Sequence, residues 1–184
     1  MVWLNKDKMR NIFFMAVALV VLSACKTLIP FTGELKSSNN WKDKEVKQLQ
    51  YYNSEAIVLN RQLKSNETGI VSGKIKMVDG KQVEQITIRK GTPGIISTIP
   101  DSERMAISFE IGDDHFLTFG VDNQRGGRYY LRLKDYEKNK FAIVTYFGKS
   151  YNISPTALNA YLQVNLKKIN REKTDLRVAK GRKL

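Results

Sequence analysis

Met105-Ala106-Ile107-Ser108-Phe109-Glu110-Ile111, then Gly112-Asp113-Asp114, then His115-Phe116-Leu117-Thr118-Phe119-Gly120-Val121: the reading of this stretch decides the fold. Met105, Ile107, Phe109 and Ile111 fall on one side of an extended chain, with Ala106, Ser108 and Glu110 on the other. Alternation at a period of two is the pattern of a strand with one buried face. After the Gly-Asp-Asp break, His115, Leu117, Phe119 and Val121 resume on a single face. Two such runs joined by a short turn read as an antiparallel pair.

The same period spreads outward. Towards the N-terminus, Ile95–Ile99 reads as a short strand between Gly91-Thr92-Pro93-Gly94 and Pro100-Asp101-Ser102. Asp79-Gly80 separates two alternating runs, one through Val71, Gly73, Ile75 and Met77 and one from Gln82 to Arg89. Asp-Gly suits a tight hairpin because both residues accept positive φ. Glu55–Gln62 reads as the first strand, and a helix capped by Asn40 is expected through about Gln50, with Trp41, Val46 and Leu49 inward. Towards the C-terminus, Tyr129, Leu131 and Leu133 alternate, Glu137–Lys140 turns the chain, and Phe141, Ile143, Thr145 and Phe147 alternate again. Beyond Pro155 the preferred reading is a last hairpin, Tyr161–Ile169 with Leu176–Lys183. A helix over 156–168 is the alternative. Short strands with turns every roughly 8–12 residues predict a mainly β fold: one antiparallel β-barrel or sandwich with a short N-terminal helix.

The first 25 residues follow other rules. Lys6-Asp7-Lys8-Met9-Arg10 precedes an apolar run from Ile12 to Leu22, and Leu22-Ser23-Ala24-Cys25 closes it. The run is 11 residues long, against roughly 20 for a membrane-spanning helix. It therefore has the form of an export signal. The step at 22–25 resembles the lipobox of bacterial lipoprotein precursors. That resemblance implies cleavage between Ala24 and Cys25, a diacylglyceryl group on the Cys25 sulfur and an acylated new N-terminus. It implies a lipid-anchored protein of the bacterial envelope. Lys26 does not match the aspartate that retains lipoproteins on the inner membrane, which points to the outer membrane, facing the periplasm. Cys25 is the only cysteine, so lipidation would leave no free thiol. Met9 is a candidate start, because Met9-Arg10-Asn11 makes a compact basic head by itself.

The expected organisation is a cleaved signal at 1–24, a lipidated cysteine and tether at 25–40, and one β-rich domain at 41–184. The formal charge is +13. The signal carries Lys6, Lys8 and Arg10 against Asp7, so its loss lowers that by two. Between Tyr161 and Leu184 eight basic residues, Arg177, Lys180 and Arg182 among them, face only Glu172 and Asp175. In an exported protein such a balance favours anionic lipid or lipopolysaccharide over nucleic acid.

Chemistry is harder to find. His115 is the only histidine. With Asp113 and Asp114 it forms the most catalysis-like cluster, but Asp in a tight turn is a turn former, and this set lacks the four ligands of a zinc site. No Gly-rich phosphate loop occurs. The expectation is therefore a protein that is not an enzyme and needs no metal or cofactor: an accessory or scaffold component of an envelope complex with a protein partner. A lipocalin-like carrier of a small hydrophobic ligand or lipid is the alternative. A hydrolase built on Asp113, Asp114 and His115 ranks third. Tyr130 and Tyr146 stand on strand faces opposite the expected core residues. Paired across a hairpin beside Arg132 they would make an exposed contact patch; packing in the core is the competing arrangement.

Overall fold

A computed structural model describes residues 27–63, 73–112, 114–137 and 141–165. The chain is mainly β, with two antiparallel sheets and few helices. Thirteen strands run in order: β1 Leu28–Pro30, β2 Tyr51–Asn53, β3 Ile57–Gln62, β4 Lys74–Val78, β5 Lys81–Ile88, β6 Pro93–Asp101, β7 Arg104–Ser108, β8 Phe116–Asp122, β9 Arg128–Leu131, β10 Asp135–Glu137, β11 Phe141–Tyr146, β12 Lys149–Ile153 and β13 Leu162–Asn165. One sheet has the order β1-β13-β2-β6-β7-β8-β9 and the other β10-β11-β12-β3-β5-β4. Two short helices, α1 Gly33–Ser38 and α2 Asp43–Gln48, lie between β1 and β2. No described helix is long and apolar enough to cross a membrane.

The alternating stretch that opened the sequence forms β7 and β8, paired from Arg104↔Gly120 to Ser108↔Phe116, but β7 ends at Ser108, three residues before the expected end, and Ile111, expected on the buried face, is fully exposed. Its inward residues Met105, Ile107, Leu117 and Phe119 are buried. They join one core with Ile57, Leu59, Ile86, Ile88, Val144 and Ile153 of the other sheet. Burying apolar area contributes roughly 25 cal/mol per Å², so this shared core is the main stabilising term. The Asp79-Gly80 hairpin forms as expected, with φ of 48° and 73° joining β4 to β5.

Residues 28–40 depart from the expected tether. Leu28, Ile29 and Pro30 pair with Asn165, Val164 and Gln163 of β13. Phe31 is fully buried, its ring 5.2 Å from Tyr51, 5.0 Å from Tyr129 and 6.5 Å from a parallel Trp41. One aromatic anchor of this kind outweighs the loop-like Pro, Gly and Ser around it. Thr32 caps α1 by accepting from the Leu35 amide at 3.0 Å. The expected helix over 40–50 is shorter and starts later. Asn40 adopts φ 53° between the two helices, and the amide of Lys42 donates to Glu45. The Tyr51 hydroxyl then donates to the Val46 carbonyl at 2.9 Å and fixes α2 to the core.

Three further differences have local causes. β6 runs through Pro100 to Asp101, past the expected stop. Register shifts after Ile96 and Thr98 let proline sit where no ladder donor is needed. β10 occupies residues read as loop and turn, and β12 follows the Phe147-Gly148 turn, where φ is 48° and 66°. β13 supplies the first strand of the expected last hairpin, after a 3-10 turn at Pro155–Asn159. Its expected partner strand, Leu176–Lys183, lies outside the described residues.

Neither sheet closes into a barrel among the described residues. β9 meets the residues after β1 and before β13 through the bridges Thr32↔Arg128 and Tyr130↔Tyr161 and through backbone bonds from the Tyr129 amide to the Phe31 carbonyl at 3.3 Å and from the Leu131 amide to the Ala160 carbonyl at 2.9 Å.

Candidate functional site

Sheet register separates the polar side chains into a buried set and an open set. On β5, Ile88, Ile86 and Glu84 point inward, and all three are buried. Their cross-strand neighbours on β3 are Ile57, Leu59 and Arg61. The inner face of this sheet is thus apolar for two rows and charged in the third. Arg61 donates to one Glu84 carboxylate oxygen through Nε at 3.1 Å and through a terminal nitrogen at 2.7 Å. Tyr151 on β12 donates its hydroxyl to the same oxygen at 3.1 Å. Arg61 also lies 5.7 Å from the Tyr151 ring centre. Glu84 has no solvent-exposed side-chain surface and Arg61 has 11%. A buried carboxylate with this many donors is matched inside the protein and ties three strands together.

Beside it, Tyr146 is fully buried and donates to Glu110 at 2.8 Å. Burial, and then the bond to Glu110, push its hydroxyl far above the ordinary tyrosine range. His115 packs edge-on to Tyr146 at 5.7 Å and against Phe147 at 4.4 Å. Asp114 is exposed at φ 60°, and its carbonyl accepts from the Phe147 amide at 2.9 Å. It acts there as a turn former. Asp113 lies outside the described residues, which contain no group of three His, Cys, Asp or Glu placed to hold a metal.

The expected tyrosine patch does not form. Tyr130 and Tyr146 are both buried and belong to different sheets. Tyr130 pairs with Gly120 across β8–β9, while Tyr146 pairs with Lys149 across β11–β12. The sequence reading assigned them to one hairpin because it missed β10 and β12. Tyr130 is covered instead by the Arg125 guanidinium, 3.6 Å from its ring centre, and by the Tyr161 ring at 5.6 Å. Arg125 is held in turn by Asp122 at 2.8 Å, a contact that pulls the Asp122 carboxyl below its usual range.

Arg132 is exposed as expected. It borders an open cleft of about 440 Å³ between β7–β8 of one sheet and β11 of the other. Phe116, Leu133 and Val144 give the cleft apolar wall; Glu103, Arg104 and Lys134 give it charge. Arg104 is neutralised by Asp101, whose carboxylate accepts from its guanidinium at 2.6 Å. Arg132 lies across β8 and donates to the Val121 carbonyl. Gly120 makes this possible: a Cβ there would collide with the Arg132 Nε. Neither Lys134 nor Glu103 makes a side-chain hydrogen bond or close ion pair among the described residues, and, after Asp101, the Glu103 carboxylate adds to the field that raises the pKa of neighbouring Arg104. The cleft therefore presents two cations and one carboxylate above an apolar floor, a setting that suits a small polar ligand with an apolar part.

No known protein family, curated protein or solved structure matches the chain. Of the other residues singled out from sequence, Ala24, Cys25, Arg177, Lys180 and Arg182 lie outside the described residues. Sequence reasoning missed Glu84, Arg61 and the cleft. Glu84 stands in an alternating strand at an inward position, and that break in the apolar pattern was the available signal.

Proposed function

We propose that this chain is a lipid-anchored outer-membrane lipoprotein, with a β-sandwich domain that serves as a non-enzymatic accessory or scaffold component of a bacterial envelope complex. The observation that carries the reading is the Leu22-Ser23-Ala24-Cys25 step at the end of an 11-residue apolar run. The fold adds a spatial consequence. The first described strand begins at Leu28, three residues past the anchor, and three extended residues span no more than about 11 Å. Acyl chains at Cys25 would hold the domain directly against the headgroups. Two or three chains at about 0.8 kcal/mol per buried methylene give stable attachment, and confinement raises the effective concentration for partners on the same bilayer. The formal charge of +13, lowered by two on loss of the signal, favours an anionic membrane or lipopolysaccharide surface.

The test compares wild type with Cys25→Ala by intact mass and membrane flotation. The expected wild-type protein begins at Cys25, carries acyl mass and floats with outer membrane, while the variant keeps its signal and loses the acyl mass. A wild-type protein with a free thiol in the soluble fraction overturns the anchor and the envelope role together.

A further inference from the structure

The geometry points to the cleft beside Arg132 as a binding site for a phosphoethanolamine headgroup, with the phosphate on Arg132 and Lys134 and the ammonium on Glu103. Three observations carry this. First, the charges match in sign and number. Arg104 is taken by Asp101, which leaves two cations and one carboxylate lining the cleft. A bare phosphate would be repelled by Glu103, and a bare amine by Arg132 and Lys134. A ligand bearing both groups uses all three side chains. Second, Arg132 is seated in place. Its guanidinium is braced on the Val121 carbonyl and its stem lies over Gly120, where any β-carbon would collide with it. A braced guanidinium loses little freedom when it binds a phosphate, which is where its planar fork is most effective. Third, Phe116, Leu133 and Val144 supply apolar wall, which fits the glycerol and first acyl carbons of a lipid. The site stands on these residues alone; only the supply of ligand from a membrane rests on the anchor proposed above.

Calorimetric titration of the full chain in nonionic detergent tests it with four probes: O-phosphoethanolamine, inorganic phosphate, ethanolamine and dihexanoylphosphatidylethanolamine. O-phosphoethanolamine should bind saturably and more tightly than phosphate or ethanolamine. Arg132→Gln should weaken it about tenfold, as loss of one charge-assisted contact does. Gly120→Ala, which keeps every charge, should also weaken it by displacing Arg132. Glu103→Gln should weaken phosphoethanolamine and strengthen inorganic phosphate, a reversal that general charge attraction does not produce. Lys47→Gln, on α2, should change nothing. Tighter binding of the short-chain lipid than of O-phosphoethanolamine assigns a membrane source, and equal binding assigns a free ligand; both keep the headgroup chemistry. Phosphate binding as well as phosphoethanolamine, Glu103→Gln strengthening both, or Lys47→Gln matching Arg132→Gln overturns the site. Cys25→Ala should retain the binding, so failure of the anchor and failure of the cleft are read separately.

Discussion

Arg61 and Arg132 carry the same side chain into opposite surroundings. Arg61 is almost wholly covered and spends its donors on Glu84, itself fully buried and also bonded to Tyr151. Arg132 is exposed, braced on a backbone carbonyl, and open to a cleft. The first belongs to the fold, because desolvated charges must be matched within the protein. The second is available to a ligand, because water covers its unused donors until something displaces it. Burial and partner saturation, not residue type, separate an architectural charge from a recognising one.

The sharpest way to break this comparison is to unmatch the buried pair. Glu84→Gln leaves Arg61 with a neutral partner in a dry site. It should cost about 3–5 kcal/mol in denaturant unfolding, the range for removing one member of a buried ion pair. Adding Arg61→Met should recover part of that loss by removing the cation that Glu84 had matched. A cost below about 1 kcal/mol for Glu84→Gln would mean that water reaches the pair, and the distinction from Arg132 would collapse.

A second effect comes from the buried hydroxyls. Burial raises the tyrosine pKa at Tyr51, Tyr129, Tyr146 and Tyr151. The unfolded chain ionises its tyrosines near pH 10, while these folded ones keep their protons. The folded state then binds more protons, so stability is intact below about pH 10 and falls as pH rises above it. Thermal melts across that range should show the decline. Tyr51→Phe should make it shallower, at a cost near neutral pH of about 1 kcal/mol for the lost bond to the Val46 carbonyl. An unchanged alkaline slope in this variant would remove Tyr51 from the account.

How far the sequence could be read follows the same division. β7 and β8 were legible because Met105, Ile107, Leu117 and Phe119 repeat at a period of two and the core covers one face. β1 was not: its three residues carry no alternation, and the pairing that orders them is with β13, far away in sequence. Asp79-Gly80 announced its hairpin through backbone chemistry that needs no tertiary contact. The site was legible only at Arg132. Lys134 and Glu103 reach the same cleft through the meeting of two sheets, and local pattern carries no record of which sheet a strand joins. Tyr130 and Tyr146 are misplaced for that reason: β10 and β12 put them in different sheets, and the inward face of β11 is Ala142, Val144 and Tyr146 and not the row of Ile143, Thr145 and Phe147.

The smallest expected change sharpens the comparison from the other side. Arg132→Gln should alter unfolding stability by no more than about 0.5 kcal/mol, as exposed substitutions away from packed groups do. Its single bond to the Val121 carbonyl lies at the surface, where water replaces it. Gly120→Ala should be nearly as mild: the atoms nearest the β-carbon all belong to the exposed Arg132 side chain, which it displaces from its seat. A loss of 2 kcal/mol or more for Arg132→Gln would place that arginine, with Arg61 (about 3–5 kcal/mol for its pair), among the groups that hold the fold. A silent Arg132→Gln in unfolding, together with weakened phosphoethanolamine binding, would leave the two arginines divided as their surroundings divide them.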